Sequence, residues 1–240
     1  PAAEEVKMDA AEIRQRIYAL FAVFGVVIFF WMSFHQNGYS LTYFARDYVD
    51  LSVIKIDLGF TQIKGAEIFQ SVNPMIVVFL TPLVMYVFGR LRAKGKEPSA
   101  PRKIAIGMGI AALAYVFLMV CSLGLPEQST LGSMSEAAKH DMLLTPWVMV
   151  GMYFILTMAE LFISPLGLSF VSKVAPPHLQ GVMQGAWLAA TALGNSLLFI
   201  GGVLYTSVPL WACWLVFVGA CAASMITMLA MVKWLERVAK

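Results

Sequence analysis

Charge is what this sequence lacks most. Asp, Glu, Lys and Arg make up 13% of its 240 residues, about half of the ~25% found in a typical soluble domain. Apolar and aromatic residues reach 60% and the mean hydropathy is +0.76. A soluble core of this length has too little interior to hide that much apolar surface. An ordinary water-soluble enzyme is therefore excluded, and so is a disordered chain, which needs the opposite balance. The net charge of +3 is small and the basic residues are clustered, so no nucleic-acid partner is expected. Cysteine is scarce as well. Cys121, Cys213 and Cys221 lie in apolar runs without metal-ligand spacing or a pairing framework, and they read as small buried hydrophobes. Hydrolase motifs are also missing: no His-Glu-x-x-His, Gly-x-Ser-x-Gly or paired aspartates, and no Gly-rich phosphate loop. Neither an enzyme nor a metal or cofactor is expected. The first sixteen residues hold no apolar run, so no signal peptide is expected among them. Residues 1–16 are expected to form a cytoplasmic linker.

What is present is length without charge. A bilayer core about 30 Å thick needs about 20 mainly apolar residues per helix. Six stretches qualify, at about 17–44, 66–88, 104–125, 146–171, 181–206 and 210–234. They are too long, and alternate too little, for strands. The expectation is an all-α polytopic membrane protein, its residues 17–240 forming one six-helix transmembrane bundle in contact with the lipid bilayer.

Basic residues divide sharply between the two sets of span ends. One set holds 13 of the 17 Lys and Arg, including Arg14, Arg16, Arg90, Arg92, Lys94, Lys96, Arg102, Lys103, Lys173 and Arg237. The other holds Arg46, Lys55, Lys64 and Lys139. By the positive-inside rule both termini are expected on the cytoplasmic side. The two long outer connections, Ala45–Gly65 with Asp47, Asp50 and Asp57, and Pro126–Thr145 with Glu127, Glu136, His140 and Asp141, read as solvated, without calcium or zinc spacing.

Polar groups inside the spans need a reason. Glu160 lies mid-way along the fourth span, and an acidic residue there costs about 2.5–3.5 kcal/mol to insert. It reads either as a substrate or proton site on an aqueous cavity, or as a protonated or paired residue joining helices. Ser164 is four residues on and shares its face. Pro165 frees the carbonyl of Leu161, and Pro74 frees that of Gln70, so both are expected to break their helices and to act in gating. Asn73, just before Pro74, reads as a ligand contact or an interhelical hydrogen bond. His35 either titrates near neutral pH or rests on a backbone carbonyl. Gly181-x-x-x-Gly185 opens the fifth span as a weak close-packing motif. Trp187 follows it and is expected to line a cavity, whereas Trp31, Trp211 and Trp234 pack or anchor.

These same residues resemble the proton-dependent oligopeptide transporter family of the major facilitator superfamily, and specifically its C-terminal half, helices seven to twelve. Ala159-Glu160-Leu161 through Ser164-Pro165-Leu166-Gly167-Leu168-Ser169 to Lys173-Val174-Ala175-Pro176 is similar to the helix-ten signature. Gln70-Ser71-Val72-Asn73-Pro74 resembles helix eight. Gly181-Val182-Met183-Gln184-Gly185-Ala186-Trp187, with Gly194-Asn195, resembles helix eleven. Phe30-Trp31 and Phe34-His35-Gln36 to Thr42 resemble helix seven. The likeness covers essentially the whole chain.

The resemblance implies the C-terminal half of a proton-coupled di- and tripeptide symporter in the cell (inner) membrane. Protons would be the coupling ion, with no other cofactor. The implied partner is an N-terminal six-helix half of the same transporter, because one half has nothing to rock against. Glu160, Asn73, Trp187 and Ser164 are implied substrate contacts, with Glu160 and His35 the candidates for proton coupling. Two departures stand out. His35 occupies a position where the family carries an acidic residue, and Ala159 stands where it usually carries Gly. A non-transporting six-helix scaffold, or a facilitator for another small solute, stays open as an alternative.

Overall fold

With no water in hydrocarbon, a crossing segment must satisfy its own backbone, and the α-helix does so residue by residue. The computed structural model describes residues 8–54, 56–57, 62–63 and 65–239. Six helical segments in it are long and apolar enough to cross a membrane. Most of the expected linker, 1–7, lies outside the described residues, as do Lys55, Lys64 and Lys240. The helix that follows starts at Ala10, earlier than the expected residue 17.

In chain order, α1 is Ala10–Phe34, followed by a 3-10 turn at His35–Gly38 and α2 at Ser40–Tyr48. A two-residue hairpin pairs Ile56 with Ile63 and Asp57 with Gln62. Then come α3 (Ile68–Ala93), α4 (Ala100–Cys121), the short α5 (Glu136–Asp141) and α6 (Trp147–Val174). The chain ends with α7 (Gln180–Ser196), α8 (Phe199–Ser207) and α9 (Leu210–Val238). Span one is thus α1 with α2, and span five is α7 with α8.

Packing is centred on α4, which runs between α6 and α9, while α1 packs on α7 and α9, and α3 on α6. In a membrane, helices gain nothing by leaving apolar solvent, so close van der Waals approach has to hold them. Small residues supply it. A Cβ on Gly107 of α4 would lie 3.0 Å from the Ala159 carbonyl of α6, so Ala159, fully buried, closes that seam. A Cβ on Gly194 of α7 would lie 2.7 Å from Trp31 Cβ and 2.8 Å from the Ile28 carbonyl of α1. By contrast, Gly181 and Gly185 meet nothing within 4 Å. The close-packing role expected of that pair is absent within the described chain.

Contacts between distant segments gather the helix ends into two groups. At one side, Arg16 at the start of α1 donates to the Val174 carbonyl at the end of α6 at 3.4 Å. There too Arg102, near the start of α4, pairs with Glu236, near the end of α9, at 2.7 Å. At the other side, Tyr48 Oη donates to the Pro126 carbonyl at 2.9 Å, and Leu144 N to the Tyr48 carbonyl at 2.8 Å. The two long connections are therefore pinned to each other. Gly95, at φ 64°, and Gly124, at φ 84°, terminate α3 and α4 in the left-handed conformation that glycine adopts without a Cβ penalty.

The prolines do not interrupt their helices. Pro74 and Pro82 sit inside the continuous α3, and Pro165 inside the continuous α6. The expected breaks at Pro74 and Pro165 are corrected accordingly: neighbouring spans tolerate the lost hydrogen bond. The interruptions fall instead at His35–Tyr39 and Leu197–Leu198, where no proline stands. At the first, other side chains take up the carbonyls. Tyr153 Oη donates to the Asn37 carbonyl at 2.6 Å, and Tyr115 Oη to that of Ser33.

Candidate functional site

The seam between α3 and α6 carries the polar centre of the bundle. Glu160 is the fourteenth residue of the 28-residue α6, roughly 20 Å along a helix rising about 1.5 Å per residue. Asn73, in the first half of α3, reaches it across the seam. Its amide donates to Glu160 Oε2 at 3.0 Å and to Thr157 Oγ1 at 2.9 Å. Thr157 in turn donates to the Tyr153 carbonyl at 2.7 Å. Two hydrogens on one amide nitrogen thus satisfy a carboxylate and a hydroxyl at once. Thr157 and Glu160 are three apart on α6, which places both over the same face.

Asn73 and Glu160 are half-buried, while Thr157 is fully buried. Among the described residues no cation pairs with Glu160. A carboxylate in the middle of a span, given one amide donor and no counter-charge among the described residues, carries a desolvation cost that this seam offsets only in part.

Of the other expected site residues, Ser164 is half-buried and forms no hydrogen bond among the described residues, so the face it shares with Glu160 does not join them. His35 sits in the 3-10 turn, its Nδ1 3.1 Å from the Trp31 carbonyl and its ring stacked on Trp31 at 5.1 Å. Trp187 is a correction. Its ring is 2% exposed, lies against Gly167 of α6 where any Cβ would collide with it, and meets Phe24 edge-on at 6.2 Å. It fills the α1–α6–α7 junction, buried rather than facing open space. Trp31 packs as expected, but its indole N–H is buried without an acceptor among the described residues.

Two features escaped the sequence. Thr157 carried no signal, since a Thr bonded back to a carbonyl four residues earlier looks like any helix filler. The second is a clasp at the α3–α4 connection. Lys103 is 4% exposed, pairs with Glu97 at 2.5 Å and lies 4.1 Å above the Phe88 ring. Arg92 binds the same carboxylate at 2.6 Å and 3.1 Å. With Arg92 and Lys103 both donating to it, the Glu97 carboxyl is held down at about 2. From sequence, the basic residues at this connection read only as a topology signal.

The POT family matches residues 3–227. The chain belongs to the POT family. A peptide transporter of Yersinia enterocolitica is 29% identical over 182 residues, covering 76% of this chain and 32% of that protein. Dipeptide and tripeptide permease B of Aeromonas hydrophila is 29% identical over 208 residues, 86% of this chain and 37% of its own length. This POT chain therefore spans about a third of those relatives. A crystal structure of peptide transporter POT in complex with sulfate superposes with a TM-score of 0.78 at 25% identity, over 95% of this chain and 42% of that one. A POT family transporter in complex with 5-aminolevulinic acid aligns with a TM-score of 0.66 at 21% identity, over 100% and 44%, a likeness of fold. The six helices are one half of a major facilitator fold.

Proposed function

We propose that this chain is the C-terminal half of a proton-coupled di- and tripeptide symporter, contributing one wall of the peptide cavity. Its partner is an N-terminal six-helix half of the same transporter. The observation that carries the reading is Glu160, held mid-span by Asn73 with no cation paired to it among the described residues. A peptide ammonium, or a basic residue of the other half, supplies the missing charge, and in a low-dielectric site that attraction is far stronger than in water. Asn73 is the proposed contact to the peptide backbone. His35 stands at the acidic position of helix seven and modifies proton coupling there, since an imidazole cannot take an acid's place opposite a basic residue.

In the transporter carrying this chain, Glu160→Gln should abolish peptide uptake while leaving expression intact. Normal uptake with an unchanged pH profile would refute the role. Unlike a transporter, a scaffold would give no uptake in any form. The sidedness we propose, both termini cytoplasmic in the cell membrane, rests on the basic asymmetry. Cysteines placed at Ser99 and Ser133 test it: external labelling of the second alone is expected, and the reverse would overturn the orientation.

A further inference from the structure

The two helix interruptions meet. Span one tightens into a 3-10 turn at His35–Gly38. Span five tightens at Leu197–Leu198, where Leu197, Leu198, Ile200 and Gly201 each donate to the carbonyl three residues earlier. Gln36 bridges the two. Its amide nitrogen donates to the Leu198 carbonyl at 3.2 Å, and its amide oxygen accepts from Ser40 Oγ at 2.7 Å. Gln36 and Ser40 are both fully buried. Gly201 and Gly202 give them room: a Cβ on Gly201 would strike the Gln36 amide, and one on Gly202 would lie 2.7 Å from the Tyr39 ring.

Short 3-10 stretches within a longer helix mark places where it hinges. The two segments beyond the interruptions are anchored differently. On α2, Leu41, Phe44, Ala45 and Tyr48 are fully buried, and Phe44 meets Trp214 of α9 edge-on at 5.6 Å. The nine-residue α8 buries only Gly201 and Tyr205. Its hydrogen bonds to the rest of the bundle are Gln36 to Leu198 at its base and Tyr205 Oη to Asp47 at its tip, 3.0 Å.

We propose that Gln36 is a positioning residue: it sets the angle of α8, making the outer end of span five a hinged segment held by span one rather than by the helix it continues. Each turn of α2 would carry α8 with it, so the ends of two different spans move together. The inference stands whatever solute the protein carries.

Hydrogen exchange of the protein in nanodiscs, read by mass spectrometry, tests this. Gln36→Met keeps the side chain's length and removes its donor. Exchange across 199–207 should rise about three- to tenfold, the effect of one lost hydrogen bond, with 10–34 and 180–194 unchanged. Gly201→Ala, which displaces the same amide, should give the same regional pattern. Unchanged exchange in 199–207 in both variants would overturn the proposal. So would an increase spread evenly over all spans, which would mark Gln36 as packing only.

Discussion

Asn73 and Glu160 are residues whose chemistry could be read before any geometry existed, because a polar group in hydrocarbon needs a reason wherever it sits. Their partnership across α3 and α6 was left open beside ligand contact, and the structure joins them. Thr157 and Gln36 were passed over for one reason: hydroxyls and amides in helices usually bond locally, so their long-range role appears only when a second helix is in place. Glu97 was also illegible, since no spacing rule connects a loop carboxylate to a Lys six residues on. It makes a testable case. Its carboxyl lies at about 2 in the folded protein against an ordinary 4.5. A depressed acid stabilises fully above its unfolded value, and that contribution fades as pH falls through the folded one. Glu97→Gln leaves buried Lys103 unpaired and should cost about 1–3 kcal/mol near neutral pH. Thermal melts of both proteins should converge as pH drops from 4.5 towards 2. A gap that stays constant with pH would contradict the clasp.

Among the elements, the positions of the six spans were legible because length and apolarity are properties of the chain alone. The interruptions were not. Proline marked the wrong places, since α3 and α6 absorb theirs, whereas α1–α2 and α7–α8 break where tyrosine and glutamine side chains from other spans can accept the consequences. A helix break is thus decided by tertiary supply of partners, which no local pattern encodes. Small residues behaved similarly. Gly181 and Gly185 form a familiar spacing, yet a Cβ on either would meet nothing in the described chain, while Gly194 and Gly167, which belong to no small-residue spacing, sit under α1 and Trp187. Gly167→Ala should therefore displace the Trp187 ring and destabilise the bundle by about 1–3 kcal/mol, an overpacking effect, whereas Gly181→Ala should leave the melting temperature of this chain unchanged. Equal effects of the two substitutions would contradict the packing described here.

At the scale of the whole molecule, two spans are conspicuously uncovered. None of the apolar window of α3 is buried, and 22% of that of span five, against 56% for span one. Both flank the face that carries Glu160 and Asn73, and Gly181 and Gly185 lie open on the second. A half of a major facilitator fold needs such flanks for its other half. Hydrogen bonds between spans contribute only about 0.6 kcal/mol on average, too little for contacts such as Asn73 to Glu160 to hold a half in a unique arrangement by number alone. Under the proposed function the peptide site lies between two halves, with Glu160 contributed by this one. Calorimetric titration of this purified chain with di- and tripeptides, beside the same titration of the whole transporter, tests that most directly. Saturable heats from the whole transporter and none from the chain alone are the predicted result; micromolar peptide binding by the chain alone would contradict it.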